Sequence, residues 1–306
     1  MRRPLLSYII LFFLVSTLAQ AKVPSRCLVI DTIPFERTAY NNLIMDAVLN
    51  KTNSVRLMFH TASNDVTLVA ESAAKLKSIR FEETVGGVKS WGGESNDSRM
   101  SLNNAIDIAS LSWLKIPIWE DLTSGQGTDG KFGLGLLQGK VVTLDFDSSY
   151  MLVSDNLPVD IAIYEKLPLS VENGNLFVNI RCSDGKLEWE NRFLIHTGYA
   201  GALMFDDEFV VEHRLDSVLH PVGEKVLHDA FGNAVVSKKV VVPSVKLGQE
   251  QLTNVAAGYF KGATGLQRIS ILGGDFLKRF NLVIDADRAF IYLKPSRLFT
   301  TAFTSL

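Results

Sequence analysis

Residues 57–68, LMFHTASNDVTL, and residues 193–204, FLIHTGYAGALM, follow one plan. In each, an apolar run ends in His-Thr, a small residue follows, and apolar residues resume. The chain has five histidines, and two of them, His60 and His196, stand at matching points 136 residues apart. Arg56 and Arg192 keep the same spacing. Further along, Trp91-Gly92 and Phe231-Gly232 are 140 residues apart, and that offset holds to the end of each half. In KFGLGLLQGKVVTLDFDSSYMLV (131–153) and SILGGDFLKRFNLVIDADRAFIYL (270–293), Gly133 matches Gly273, Leu137 matches Leu277, Asp145 matches Asp285 and Asp147 matches Asp287. Four residues inserted in the second half account for the drift. Landmarks repeated in one order indicate an internal duplication.

The local texture of both halves is β. NLIMDAVLN, SVRLMFHT, KVVTLDFD, LFVNIRC, NRFLIHT, KKVVVPSVKL and NLVIDA are short, rich in Val, Ile, Leu and Phe, and bounded by Asn, Asp, Gly or Pro. In CSDGKLEWEN, Asp184-Gly185 separates two strands, because Gly accepts the positive φ of a tight hairpin turn. Helical spacing occurs in NDVTLVAESAAKLKSI and FDDEFVVEHRLDSVL, each after a His-Thr turn. The expected fold is mostly β with few short helices. It comprises a lead-in strand within 22–34, one lobe over 35–160, a second over 161–295, and a tail over 296–306.

The opening MRRPLLSYIILFFLVSTLAQA combines two arginines, an apolar stretch from Leu5 to Leu18 and a small-residue ending, as a cleavable secretory signal over 1–21 does. An uncleaved anchor is the alternative, although the stretch is shorter than the roughly 20 residues a spanning helix needs. The expected location is secreted or periplasmic, with no membrane attachment after cleavage. The net charge of −2 becomes about −4 without Arg2 and Arg3, and no Lys/Arg cluster stands out, so nucleic acid is not an expected partner. Cys27 and Cys182 either pair in an oxidising compartment or are buried thiols. No Cys-x-x-Cys or His-Glu-x-x-His metal motif occurs, and nothing in the sequence sets an oligomeric state.

A strand ending in a Thr-containing turn, a hairpin and an apolar-apolar-Gly segment, all occurring twice, resemble the plan of pepsin-like and retropepsin-like aspartic peptidases. SILGGDFLKRFNLVIDADRAFIYLKP is similar to that family's C-terminal signature, TDGKFGLGLL to its first-lobe segment, and IPFERTAYNNLIMDAVLN to the lead-in hairpin of bacterial retropepsin-like proteins. The resemblance covers residues 33 to 295 and implies a bilobal acid-protease fold with a peptide cleft between the lobes. The turns depart from the family. Where the family carries Asp-Thr-Gly or Asp-Ser-Gly, this chain has His60-Thr61-Ala62 and His196-Thr197-Gly198. Asp31-Thr32 lacks the following Gly and precedes the lead-in hairpin, so it is not expected to be catalytic.

The resemblance implies that Thr61 and Thr197 bond across to the opposite turn, and that Trp91-Gly92-Gly93 falls where a substrate-covering flap belongs. Packing is the alternative for Trp91. At Phe231-Gly232 it implies a shorter loop. Two facing carboxylates share a proton and activate water, whereas neutral imidazole has one acceptor nitrogen and imidazolium none. Ordinary aspartic-peptidase chemistry is therefore expected to be lost, leaving a degenerate peptidase that binds an extended peptide or protein segment, with Ala62 and Gly198 flanking the pair. The alternative is a hydrolase that uses His60 and His196. No cofactor is expected unless the two histidines hold a metal ion, for which Asp65, Asp206 and Asp275 are the third-ligand candidates. Asp145, Asp147, Asp285 and Asp287 are expected to cap turns, and His213, His220 and His228 to be ordinary surface or partly buried side chains.

Overall fold

A computed structural model describes residues 29–88, 96–228, 234–262 and 267–304. The expected export segment, Cys27, the Trp91-Gly92-Gly93 stretch and Phe231-Gly232 lie outside the described residues. In chain order the first half supplies β1 (Val29–Pro34), β2 (Glu36–Arg37), β3 (Leu43–Leu49), β4 (Asn53–Phe59), β5 (Val66–Val69), β6 (Glu83–Val88), β7 (Asn96–Ile108), β8 (Leu111–Asp121), β9 (Gly130–Phe132), β10 (Val141–Asp145) and β11 (Tyr150–Ser154). The second half supplies β12 (Glu165–Pro168), β13 (Ser170–Glu172), β14 (Asn175–Ser183), β15 (Glu188–His196), β16 (Leu203–Met204), β17 (Gly223–His228), β18 (Ala234–Leu247), β19 (Glu250–Phe260), β20 (Ser270–Gly273), β21 (Phe280–Ile284) and β22 (Phe290–Pro295).

The duplication read from the sequence is exact in topology. One eight-stranded sheet runs β2-β3-β4-β9-β5-β8-β7-β6, and the other runs β13-β14-β15-β20-β16-β19-β18-β17, the same order element for element. The extra pairing of β3 with β7 recurs as β14 with β18. A six-stranded sheet, β1-β11-β10-β21-β22-β12, joins the halves, and its centre is the β10–β21 contact, Thr143 opposite Val283. Three strands come from each half, β1, β11 and β10 from the first and β21, β22 and β12 from the second.

Local chemistry explains the hairpins. β3 alternates buried and exposed residues toward its end, and Asn50 and Lys51, both at positive φ, turn it into β4. Gly185, at φ +95°, closes β14 onto β15 as expected, and the Asp184 carboxylate accepts from the backbone N–H groups of Lys186 (2.8 Å) and Leu187 (2.6 Å). Of the two helical expectations, the second holds: α1 (Asp207–Glu212) and α2 (Leu215–Val218) follow the second turn, and Asp206 caps the first of them. The first is corrected. Val66–Val69 pairs with β8 and β9 as β5, and a single helical turn, Ala70–Ala73, follows it. Its β-branched, buried residues gain more from the sheet on both sides than from a solvated helix.

The core is continuous between the lobes. Leu57, Phe59, Phe132, Phe193, Ile195 and Leu272, from the strands that lead to the two His-Thr turns, are all essentially inaccessible. No helix among the described residues is long and apolar enough to cross a membrane.

Candidate functional site

Each His-Thr turn is held by the strand beside it. β4 runs parallel to β9 with Phe59 opposite Phe132, and the His60 N–H donates to the Phe132 carbonyl at 2.9 Å. β15 runs parallel to β20 with His196 opposite Gly273. The matched glycines after these strands are needed for contact, not for φ. A Cβ on Gly133 would lie 1.6 Å from the Ser63 carbonyl oxygen, and one on Gly273 would lie 2.2 Å from that of Gly201. Only glycine lets the turn backbone lie against the neighbouring strand at these points.

The two turns meet across the lobes. The Thr61 N–H donates to the Thr197 hydroxyl oxygen and the Thr197 N–H to that of Thr61, both at 3.1 Å. Each hydroxyl then donates to the strand that leads into the other turn, Thr61 Oγ1 to the Ile195 carbonyl at 2.6 Å and Thr197 Oγ1 to the Phe59 carbonyl at 2.7 Å. Both threonines are buried. The four bonds are nearly symmetric, so the methyl group of Ala62, where the second turn has Gly198, leaves the junction undistorted.

The imidazoles of His60 and His196 face each other, with ring centroids 4.5 Å apart and planes inclined at 61°. Gly198 makes room for them, since a Cβ there would fall 2.3 Å from His60 Cδ2 and 2.5 Å from its Nε2. Gly198→Ala is therefore expected to push the His60 ring off His196 and cost about 1–3 kcal/mol, read as a lowered denaturation midpoint with an unchanged m-value. A neutral change would contradict this packing.

The rings retain some solvent access, but each Nδ1 is sealed from solvent and has no hydrogen-bond partner among the described residues. Imidazolium is a donor at both nitrogens, so a charge on either ring would leave a buried N–H unanswered. Burial holds the His60 pKa well below the ordinary histidine value, and the facing His196 and Lys131 lower it further. Burial likewise takes His196 down to about 4, with Lys131 adding to the effect and the histidine's own backbone opposing it. At neutral pH both rings are uncharged. Lys131 itself is ion-paired with Asp121 at 2.6 Å.

No protein-family model and no curated protein sequence matches the chain. Among solved structures it is similar to an aspartic proteinase from Irpex lacteus, with a TM-score of 0.60, 13% identity, and coverage of 89% of this chain and 98% of that one. The chain has a pepsin-like fold. At that identity the likeness concerns architecture alone. The two lobes, the shared sheet and the facing turns agree with the bilobal expectation.

The pepsin-like fold separates the other candidate residues. Asp65 is exposed beside the first turn, Asp206 is engaged with Phe209 N–H, Asn191 and Ser270, and Asp275 is fully buried against Lys278. Asp206 and Asp275 serve local structure, and no group of three His, Cys, Asp or Glu side chains among the described residues is placed to hold a metal ion. Asp31 accepts from the N–H and hydroxyl of Ser110, at the sheet edge. Asp145 and Asp285 close the turns after β10 and β21 by accepting from Asp147 N–H and Phe290 N–H. Asp147 instead accepts from Asn281 and Arg297, and Asp287 is exposed. Cys182 is a buried free thiol whose pKa burial pushes up to about 12.

The loop at Phe231-Gly232, expected to be shorter, lies outside the described residues, and only the strands that flank it are described. β17 and β18 pair without interruption from Gly223 opposite Lys239 to His228 opposite Ala234, and β17 is as long as β6 in the first lobe. The structure also adds residues that sequence reasoning missed. Asn41 and Asn42, from the first-lobe hairpin, reach the second turn, Asn41 Nδ2 donating to the Ala200 carbonyl at 3.0 Å and Asn42 Nδ2 to that of Gly198 at 3.2 Å. The adjacent Asn pair within YNNLIM was the available signal. Lys131, a cation inside the apolar run KFGLGLL, was another.

Proposed function

We propose that this is a degenerate aspartic-peptidase-like protein that holds an extended peptide or protein segment in the cleft between its lobes without cutting it. His60 and His196 take the seats in which aspartic peptidases carry their catalytic carboxylates, and the N-terminal segment directs export. The observation that carries this reading is the pair of facing, largely buried imidazoles above an intact Thr61–Thr197 junction.

An acid dyad works because one ionised carboxylate takes a proton from water while its protonated partner donates to the scissile carbonyl. Two neutral imidazoles supply no negative charge to polarise water, and burial resists the cation that would serve as the acid. The junction that sets the spacing of the lobes is kept, so the cleft survives where the chemistry does not. The exposed backbone of a strand-like segment and alternating side-chain pockets are the means by which such a cleft recognises an extended ligand.

The test is a library of unstructured peptides presented to the protein from pH 3 to pH 8, with and without added Zn²⁺. Bound peptides are expected to be recovered uncut under every condition. Turnover that is lost on His60→Ala or His196→Ala would make the pair a hydrolytic centre instead, and a library from which no peptide binds would end the cleft reading.

A further inference from the structure

We propose that a cavity in the second lobe, beside Tyr199, seats the carboxylate of an aspartate or glutamate side chain of the bound segment, held by Lys225 and Lys239. This rests on the cleft reading above and narrows its ligand. The cavity measures about 200 Å³, and Tyr199, Gly201, Lys225, Ser237, Lys239 and Gly258 contribute to its wall. It adjoins the histidine pair, because Tyr199 belongs to the second turn and its ring lies edge-on to His196, 6.5 Å between centroids.

The register of three strands produces both the space and the charge. Lys225 on β17 lies opposite Ser237 on β18, and Lys239 is two residues along β18 from Ser237, so all three project from one face. Lys239 is flanked by Gly223 on β17 and Gly258 on β19. Neither neighbour has a side chain, so the row Gly-Lys-Gly leaves a hollow at the foot of the lysine. A Cβ on Gly258 would come within 2.9 Å of Ser237 Oγ and narrow it.

Among the described residues neither Lys225 nor Lys239 has a carboxylate partner. Glu224, the acidic neighbour on the same hairpin, is committed to Lys261 at 3.0 Å. Lys131, on β9 of the first lobe, is already matched by Asp121. Two unmatched ammonium groups on one face of a cavity repel each other, and an anion between them relieves the repulsion and gains two charge-assisted bonds. The small, partly apolar hollow suits the short methylene stem of Asp or Glu, with the charge at its end.

The experiment uses fluorescently labelled peptides from the bound set that differ at one position, Glu against Gln, with a phosphoserine version as a third arm. The Glu form is expected to bind about tenfold more tightly at low salt, the sum of two partly exposed ion pairs, with the gap closing as salt rises. Lys225→Met/Lys239→Met is expected to abolish the gap, and Lys225→Glu/Lys239→Glu to turn the preference toward a Lys-bearing peptide, with circular dichroism confirming that both fold. Equal affinity for Glu and Gln forms would overturn this inference and leave the cleft reading standing. A strong preference for phosphoserine over Glu would overturn the carboxylate assignment, and failure of every peptide to bind would overturn both readings.

Discussion

Acidifying the protein from pH 7.5 to pH 4 is expected to remove about 2–3 kcal/mol of folding stability that a His60→Asn/His196→Asn variant does not lose. The folded-state pKa of each ring lies below that of an unfolded histidine, His196 at about 4 against an ordinary 6.5, through burial first, then for His60 the facing His196, and for both the positive charge of Lys131. The unfolded chain therefore binds more protons than the folded chain across this interval. Stability is complete above the unfolded histidine range, drains as the pH falls from about 6.5 toward about 4, and is flat below that as far as His196 is concerned. Denaturant titrations of both proteins at a series of pH values give the result as a difference, in which the carboxylates common to both cancel. Parallel pH profiles for wild type and variant would contradict the buried, neutral pair. An acid-working peptidase would gain nothing from such a dependence.

Asp275→Asn is expected to cost about 3–5 kcal/mol, the scale for removing one member of a buried ion cluster. Asp275 and Arg279 are fully inaccessible and Lys278 nearly so, with Lys278 Nζ 2.6 Å from Asp275 Oδ1 and Arg279 Nη2 3.9 Å from it. Burial lowers the pKa of both cations even with that carboxylate present. Without it, two positive charges remain in the core with no other carboxylate beside them among the described residues.

The cluster also fastens the C-terminal segment. Asp275 Oδ2 accepts from the Thr304 N–H at 2.8 Å, and Arg279 Nη1 donates to the carbonyls of Leu298, Phe299 and Thr301 beneath the Phe303 ring. Lys278 Nζ reaches Asn41 Oδ1 at 3.0 Å, which ties the same cluster to the first-lobe hairpin that braces the second turn. The variant should therefore lose stability and expose the segment after Ser296 to protease together. A midpoint shift equivalent to less than about 1 kcal/mol, with the tail still protected, would show that the cluster carries little of the fold.

What the sequence disclosed was whatever is periodic or repeated. The strand runs, the Asp184-Gly185 hairpin and the offset of the His-Thr turns all depend on residues close together in the chain or on copies of one segment. They gave the two lobes and placed His60 and His196 opposite each other. The contacts that characterise the site are of another kind. Asn42 meets Gly198 from 156 residues away, and Lys131 finds Asp121 because β9 and β8 both flank β5, which no local pattern encodes. Asp275 is a third-ligand candidate by residue type alone, and only burial shows Lys278 and Arg279 around it. Lys239 acquires meaning only when pairing sets Gly223 and Gly258 on either side of it.

The most direct test of the account is a nuclear magnetic resonance titration of imidazole-labelled histidine, with His60→Asn and His196→Asn assigning the two signals. Both rings should remain neutral at pH 6, His196 taking up its proton only near pH 4. Protonation of either ring close to the ordinary histidine value would contradict a buried pair at the seam between the lobes.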